Sequence, residues 1–320
     1  MRTQLITFTL VFLSACSSFE PTPVPSPTPA SSRSEAIPPD AVKHGPADDP
    51  HPPILHADEW QAPIPLPGPI NTAGAEDSPF ISPDGDWFFF FFTPDVRVPA
   101  ERQIIDGVTG IYVSKRIFGG WSEPTRVILQ DPGELSLDGC EFYQDGELWF
   151  CTIRVGLMRE IDIWLADFAE GQASNWRSAG EVLNLDVGLG EFHFTPDWKT
   201  VYFHSDREDG VGGIDLWVVK WEDDGWGDPH NLSELNTPGH DGWPTLSVDG
   251  TELYFTRTHL GTPGIFRSRW DGDQWSEAEL IVSQFAGEPT LDPDGNLYFV
   301  HHYYQEGVML EADIYVAYRK

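Results

Sequence analysis

Positive charge is what this 320-residue chain has least of: 19 lysines and arginines stand against 51 aspartates and glutamates, a formal net charge of −32. Nucleic-acid phosphates are held by lysine and arginine, so this balance excludes DNA and RNA as partners. It also argues against docking on anionic lipid headgroups and suits a soluble extracytoplasmic surface. Cysteine is scarce, with Cys16, Cys140 and Cys151 alone. No phosphate-cradling glycine loop, zinc-ligand spacing or nucleophile elbow is present, so no metal and no cofactor is expected. Long apolar runs are missing too. Residues 5–13 are apolar but too short a run to span a bilayer as a helix, and no amphipathic helix of useful length is visible.

What is present is a repeat. A Pro-Asp-Gly-like turn recurs with its aspartate at Asp84, Asp145, Asp197, Asp249 and Asp294, spaced by 61, 52, 52 and 45 residues. A strand follows each turn, and a second one opens at Gly110-Ile111-Tyr112, Asp162-Ile163-Trp164, Asp215-Leu216-Trp217, Gly264-Ile265-Phe266 and Asp313-Ile314-Tyr315. A tryptophan leads a further strand at Trp60, Trp121, Trp176, Trp226 and Trp275. Four short strands between turns make an antiparallel blade, and a fixed-period series of blades is the signature of a propeller. The expected fold is therefore all-β, a five-bladed β-propeller with four antiparallel strands per blade. The first tryptophan precedes the first turn and none follows Tyr315. Residues 58–67 are thus expected to lie antiparallel to 313–318 as the outer strand of the last blade, removing a free sheet edge. The aromatic run 87–92 reads as an inner strand buried on both faces.

The repeat resembles the TolB-type, WD40-like propeller family. The matching residues are Asn71-Thr72 with Glu76 ahead of Ser82-Pro83-Asp84-Gly85, then Tyr202-Phe203-x-Ser205-x-Arg207, Gly212-Gly213-Ile214-Asp215-Leu216-Trp217 and Trp226-x-x-Pro229. The resemblance covers about 265 of the 320 residues. That family usually has six blades, so five is a departure. The fold it implies hosts many functions, and function must be argued from the site.

Three segments follow. Residues 1–15 are a targeting segment, and Leu13-Ser14-Ala15-Cys16 resembles the lipobox of bacterial lipoproteins, which implies lipidation of Cys16. A diacylated cysteine anchors a protein stably to a membrane. Residues 16–55, rich in Pro, Ser and Thr, read as a disordered or extended tether, so that removing 1–54 should leave folding untouched. Residues 56–320 form the propeller. Cys140 and Cys151 flank the Asp145-Gly146 turn. A two-residue turn places them directly opposite, a three-residue turn with a glycine bulge makes them miss by one, and export permits a disulfide. Two buried free thiols are the alternative.

In a four-stranded blade the start of strand one and the loop between strands two and three lie at one end. That places two residue sets on one face. Asp77, Asp138, Glu191, Asp241 and Glu288 precede the turns by six to eight positions, and Arg97, Arg154, Arg207, Arg257 and His301-His302 follow strand two. The plain interpretation is ion pairs and loop hydrogen bonds repeated with the blade. The alternative is a polar-ligand pocket using Arg154, His193, Arg207, Asp241, Arg257, Glu288 and His301. A sharper reading comes from family 43 glycoside hydrolases, five-bladed propellers whose first three blades present Asp, Asp and Glu. Asp77-Ser78-Pro79-Phe80-Ile81 looks like that family's first strand. The resemblance implies Asp77 as general base, Asp138 as a tuning residue and Glu191 as general acid, with His193 one position closer to the glutamate than in the family pattern. The acidic loop at Asp206–Gly210 does not match an EF-hand and reads as solvated. The expectation is a lipid-anchored, monomeric, cell-envelope binding module for a glycan or an envelope protein. A glycoside hydrolase is the alternative.

Overall fold

The computed structural model describes residues 32–154 and 161–320. The targeting segment and Cys16 lie outside the described residues. Five antiparallel units follow one another. The first holds Ala75–Ile81, Trp87–Thr93 and Gly110–Ile117, edged by Gly120–Trp121 and Thr125–Arg126. The second holds Ser136–Gln144, Glu147–Arg154, Asp162–Ala169 and Gln172–Ser178. The third holds Phe192–Phe194, Thr200–Ser205 and Asp215–Glu222, edged by Gly225–Trp226 and His230–Asn231. The fourth runs Asp241–Leu246, Glu252–His259, Thr262–Arg269 and Glu279–Ser283, and the fifth Ala286–Leu291, Leu297–Gln305 and Val308–Ala317. A single parallel bridge, Ala312 to Ala75, merges the fifth and first units into one nine-stranded sheet. The first strand of each unit packs on the first strand of the next, and Ala286–Leu291 packs back on Ala75–Ile81.

The turns explain where the hairpins form. Ser82 Oγ donates to Asp84 Oδ1 and accepts from the Trp87 amide at 2.9 Å, while Gly85 adopts φ +75°, which costs a glycine little. Thr195 with Asp197 and Ser247 with Asp249 repeat the device. The run Trp87–Thr93 is buried on both faces as expected: Phe88, Phe90 and Phe92 pack with Tyr112 and Trp121, and Phe89 packs with Phe168 from the next unit. Each such ring contributes about 1.5–3 kcal/mol by leaving water, so the two faces together hold neighbouring units in contact.

The chain ends meet in the expected register. Ile64 pairs with Val316 and Pro65 with Tyr315, and the Gln61 and Leu66 amides donate to the Tyr318 and Ile314 carbonyls at 2.8 Å. Trp60 is fully buried under Arg319, 4.8 Å from its ring, and its Nε1 donates to the Gly295 carbonyl.

The tether expectation needs correction over residues 32–55, which pack on the sheets as a strap. A short helix, Arg33–Ala36, is capped by Ser32 and Glu35. It buries Arg33, whose Nη1 donates to Glu76 and to the Ile70 carbonyl. Lys43 then bridges Glu311 and Asp313, Asp49 meets His301 at 2.7 Å, and Ile54–Leu55 adds a strand to Glu279–Ser283. The physical reason is charge. The buried carboxylates of Glu76, Glu311 and Asp313 find their ion-pair partners in this segment, at Arg33 and Lys43.

Cys140 and Cys151 are joined by a disulfide with Cα atoms 5.4 Å apart. The two-residue turn weighed for the sequence is the one present, but it does not bring the cysteines directly opposite. Asp145-Gly146 is a two-residue turn with Gln144 opposite Glu147, yet a bulge between Gly139 and Phe142 puts Gly139 opposite Cys151. Cys140, at φ +56°, is the extra residue, and its sulfur still reaches across.

Candidate functional site

The same bulge recurs in other first strands. Register shifts fall between Asp77 and Phe80, Gly242 and Thr245, and Gly287 and Thr290. Each places a non-glycine residue in the left-handed region: Ser78 at +45°, Trp243 at +52° and Glu288 at +53°. Left-handed backbone at a bulky residue is strained and often marks a functional site. Here it aims side chains toward the axis on which the first strands converge.

Four carboxyl groups gather there. The Ser78 amide and Oγ both donate to Glu288 Oε2 at 2.9 Å, and the Ser78 Oγ donates to Glu191 Oε1 at 3.3 Å. A cavity of about 30 Å³ lies among Ser78, Glu141, Glu191, His193, Trp243 and Glu288. That is room for one or two waters, at roughly 10–15 Å³ each. Glu141 is 6% exposed and neither of its carboxyl oxygens has a hydrogen-bond partner. Among the described residues no lysine or arginine forms an ion pair with Asp77, Glu141, Glu191 or Glu288. Burial, then the negative charge of Asp77, pushes the Glu191 carboxyl up to about 8, with Ser78 and Trp243 opposing. Burial, then Asp77 and Glu191, pushes Glu288 well above the usual carboxylate range. Burial does the same to Glu141, with Glu191 and Asp77 adding to it. Burial lowers His193 to about 3, so this ring is neutral, and it accepts or donates at Thr245 Oγ1, 3.0 Å away. Beside the cavity, donor atoms of Asp77, Glu288 and His302 lie within 4.8 Å of one another, and His302 Nδ1 has no partner.

The sequence treated Asp77, Asp138, Glu191, Asp241 and Glu288 as one equivalent set. The structure sorts them into two. Glu191 and Glu288 line the cavity together with Glu141, and Asp77 stands beside Glu288. Asp138 and Asp241 belong instead with Glu76, one strand position earlier, where Glu76 and Asp241 tie down the preceding loop and Asp138 ties its strand to the next. Asp138 accepts from Ser136 Oγ at 2.7 Å and Thr152 Oγ1 at 2.6 Å, and burial raises its pKa. Asp241 accepts from the Thr237 amide and hydroxyl, both at 2.7 Å, and pairs with Arg257.

The arginines stand with this second set. Arg154 donates to the Leu129 carbonyl at 2.7 Å and stacks 4.1 Å from Trp164. Arg207 donates to the Val187 carbonyl and lies 5.1 Å from Trp217. Arg257 donates to the Leu235 carbonyl and lies 4.7 Å from Phe266. Each fastens the loop that precedes its unit onto that unit's third strand, so the repeated arginines are structural in their visible contacts. Arg97 departs from the set and is exposed beside Asp95. His301 is held between Asp49 and the Phe285 carbonyl. Asp215 accepts from the Val211 and Gly212 amides and so closes the loop ahead of its own strand.

Glu141 was not singled out from sequence, because only the bulge tells that it points inward. Nor was the grouping of His302 with Asp77 and Glu288, which come from opposite ends of the chain. The expectation of no metal rested on local ligand spacing, and this set has none.

No family model matches the chain, and no curated protein sequence matches it. Solved structures do. An α-L-arabinofuranosidase from Lactobacillus brevis is 10% identical over 79% of this chain and 92% of its own, with a TM-score of 0.51. The fold is of the β-propeller type. Two further propeller-type structures, a putative TolB from Agrobacterium tumefaciens and a gluconolactonase from Xanthomonas campestris, are 18% and 14% identical with TM-scores of 0.41 and 0.47. They cover 74% and 88% of this chain and 73% and 98% of theirs. At these identities the likeness concerns the propeller fold and not its chemistry.

Proposed function

We propose that this protein is a lipid-anchored, extracytoplasmic, five-bladed propeller that binds a hydroxyl-rich or cationic ligand of the cell envelope at its channel mouth. Five first strands packed in cyclic order support the blade count, and the pairing of residues 64–65 with 315–316 supports closure of the last blade by the N-terminal strand. The observation that carries the binding reading is the cavity lined by Glu141, Glu191 and Glu288 with Asp77 beside it, and among the described residues no lysine or arginine is paired to any of the four. A surface that needs those charges only for stability would pair them, as this protein does at Glu76, Asp241 and Asp313. Carboxyl oxygens without partners accept from ligand hydroxyls or ammonium groups, and Trp243 offers an apolar wall. The deciding experiment is a binding screen of residues 32–320 against cell-wall glycans and envelope extracts. Retention of a glycan that Glu191→Gln and Glu141→Gln weaken supports the reading. Absence of any retained ligand sinks it.

One observation favours hydrolysis as a second reading. Glu191 keeps its proton up to about pH 8 beside Asp77, which is what a general acid requires. Against it, both Asp138 oxygens are taken by hydroxyls. Release of reducing sugar from arabinan or xylan, abolished by Glu191→Gln, would put hydrolysis first.

A further inference from the structure

We propose that Asp77, Glu288 and His302 form a site for a divalent transition-metal ion at the axis of the propeller. The three donors come from different strands of the first and last blades, Ala75–Ile81, Ala286–Leu291 and Leu297–Gln305. Their donor atoms lie within 4.8 Å of one another. Ligand atoms about 2.0–2.2 Å from one ion are at most roughly 4.4 Å apart, so small side-chain rotations complete the approach.

Two carboxylates and an imidazole are the donor set of borderline cations such as Zn²⁺ and Mn²⁺, since calcium and magnesium take oxygen donors almost alone. The surroundings are those of a metal site. Ser78 donates twice to Glu288 Oε2, which fixes that carboxylate. The His302 Nδ1 is buried with no hydrogen-bond partner, a lone pair or N–H that the fold otherwise leaves unsatisfied. Glu141 is the independent sign. It is nine-tenths buried and partnerless, and it faces the adjoining cavity within electrostatic range of Asp77. The adjoining cavity of about 30 Å³ has room for a water as a further ligand. The site shares Glu288 with the proposed binding face, so it deepens that reading. A metal could equally be held with no glycan bound.

The test uses the full-length protein in detergent, stripped with a chelator and then dialysed against Zn²⁺, Mn²⁺ or Ca²⁺. Metal content per chain and melting temperature are read afterwards. The expected result is one Zn²⁺ or Mn²⁺ per chain and a raised melting temperature, with Ca²⁺ doing neither. His302→Gln and Asp77→Asn should each weaken retention about tenfold or more. In the wild-type protein Co²⁺ should show a visible ligand-field band, which keeps the test decisive if a variant fails to fold. Substoichiometric Zn²⁺ and Mn²⁺, calcium as the only tight ion, or folded variants that retain metal like the wild type would each overturn the site. Metal retention is read without any glycan, so its failure is separate from failure of the ligand screen.

Discussion

Arg33 makes, in the first blade, the contacts that Arg257 makes in the fourth. Arg257 pairs with Asp241, donates to the Leu235 carbonyl and stacks on Phe266. Arg33 pairs with Glu76 at 3.2 Å, donates to the Ile70 carbonyl and lies 5.6 Å from Tyr112. The acids match as well, since Thr72 caps Glu76 as Thr237 caps Asp241. Arg257 follows its acid in the same hairpin, whereas Arg33 comes from the strap.

Breaking a buried ion pair leaves a charge without its partner and costs about 3–5 kcal/mol. Arg33→Ala, or a chain starting at residue 55, should therefore melt several degrees below a chain starting at residue 32. Arg97→Ala, which touches only exposed Asp95, should melt like the parent. Equal melting of the chains starting at 32 and 55 would show that the strap is passive.

Trp60 joins the two ends of the chain. It lies between Arg267 and Arg319 and donates to Gly295. Trp60→Ala should cost about 3–5 kcal/mol and expose the edge of Val308–Ala317. Urea unfolding should show the loss, and size exclusion should show association through that edge.

Asp313 sets a pH dependence. Burial pushes its carboxyl up to about 7 against the pull of Lys43. The folded state thus holds this proton more tightly than the unfolded chain does. The stability it contributes is full below about pH 4 and is lost as pH rises through about 7. The melting temperature should fall between about pH 4 and 7 as this contribution is lost, and Asp313→Asn should flatten that fall. A Lys43→Met chain should keep falling to higher pH, because nothing then holds the carboxyl down. An unchanged slope in Asp313→Asn would show that other groups carry the effect.

The disulfide should be present in protein recovered from an oxidising compartment. Unfolded without reductant, a Cys16→Ser chain should show no free thiol, and after reduction two. Because Cys140 and Cys151 already sit on paired strands, Cys151→Ser should cost no more than about 2 kcal/mol. Cys16→Ser should also move the protein from the membrane fraction to the soluble one.

The sequence made the repeat legible because turns need particular residues: Asp84, Asp197 and Asp249 close hairpins through side-chain hydrogen bonds that few residues can make. It made the pairing of residues 58–67 with 313–318 legible because Trp60 was the one tryptophan without a turn before it. The site was less so. A bulge normally announces itself by glycine, but here Ser78, Cys140, Trp243 and Glu288 hold the left-handed position. Without the bulges, Asp138 and Glu141 cannot be told apart as strand fastener and cavity wall. The strap was hidden for another reason. Its contacts are single charges at Arg33, Lys43 and Asp49, each matched to an acid or base more than forty residues away, and they leave no periodicity in a stretch rich in proline.

The buried Arg33 also shortens a leash. A tether free up to residue 56 would let a lipid on Cys16 stand roughly 130–140 Å from the propeller, at about 3.3–3.6 Å per residue. With the chain fastened at Arg33, seventeen residues remain and the reach drops to roughly 55–60 Å. The point of fastening is also on the channel-mouth side, beside Ile70 and Glu76. On the lipid anchor proposed above, such a fastening would hold the acidic mouth within that reach of the membrane.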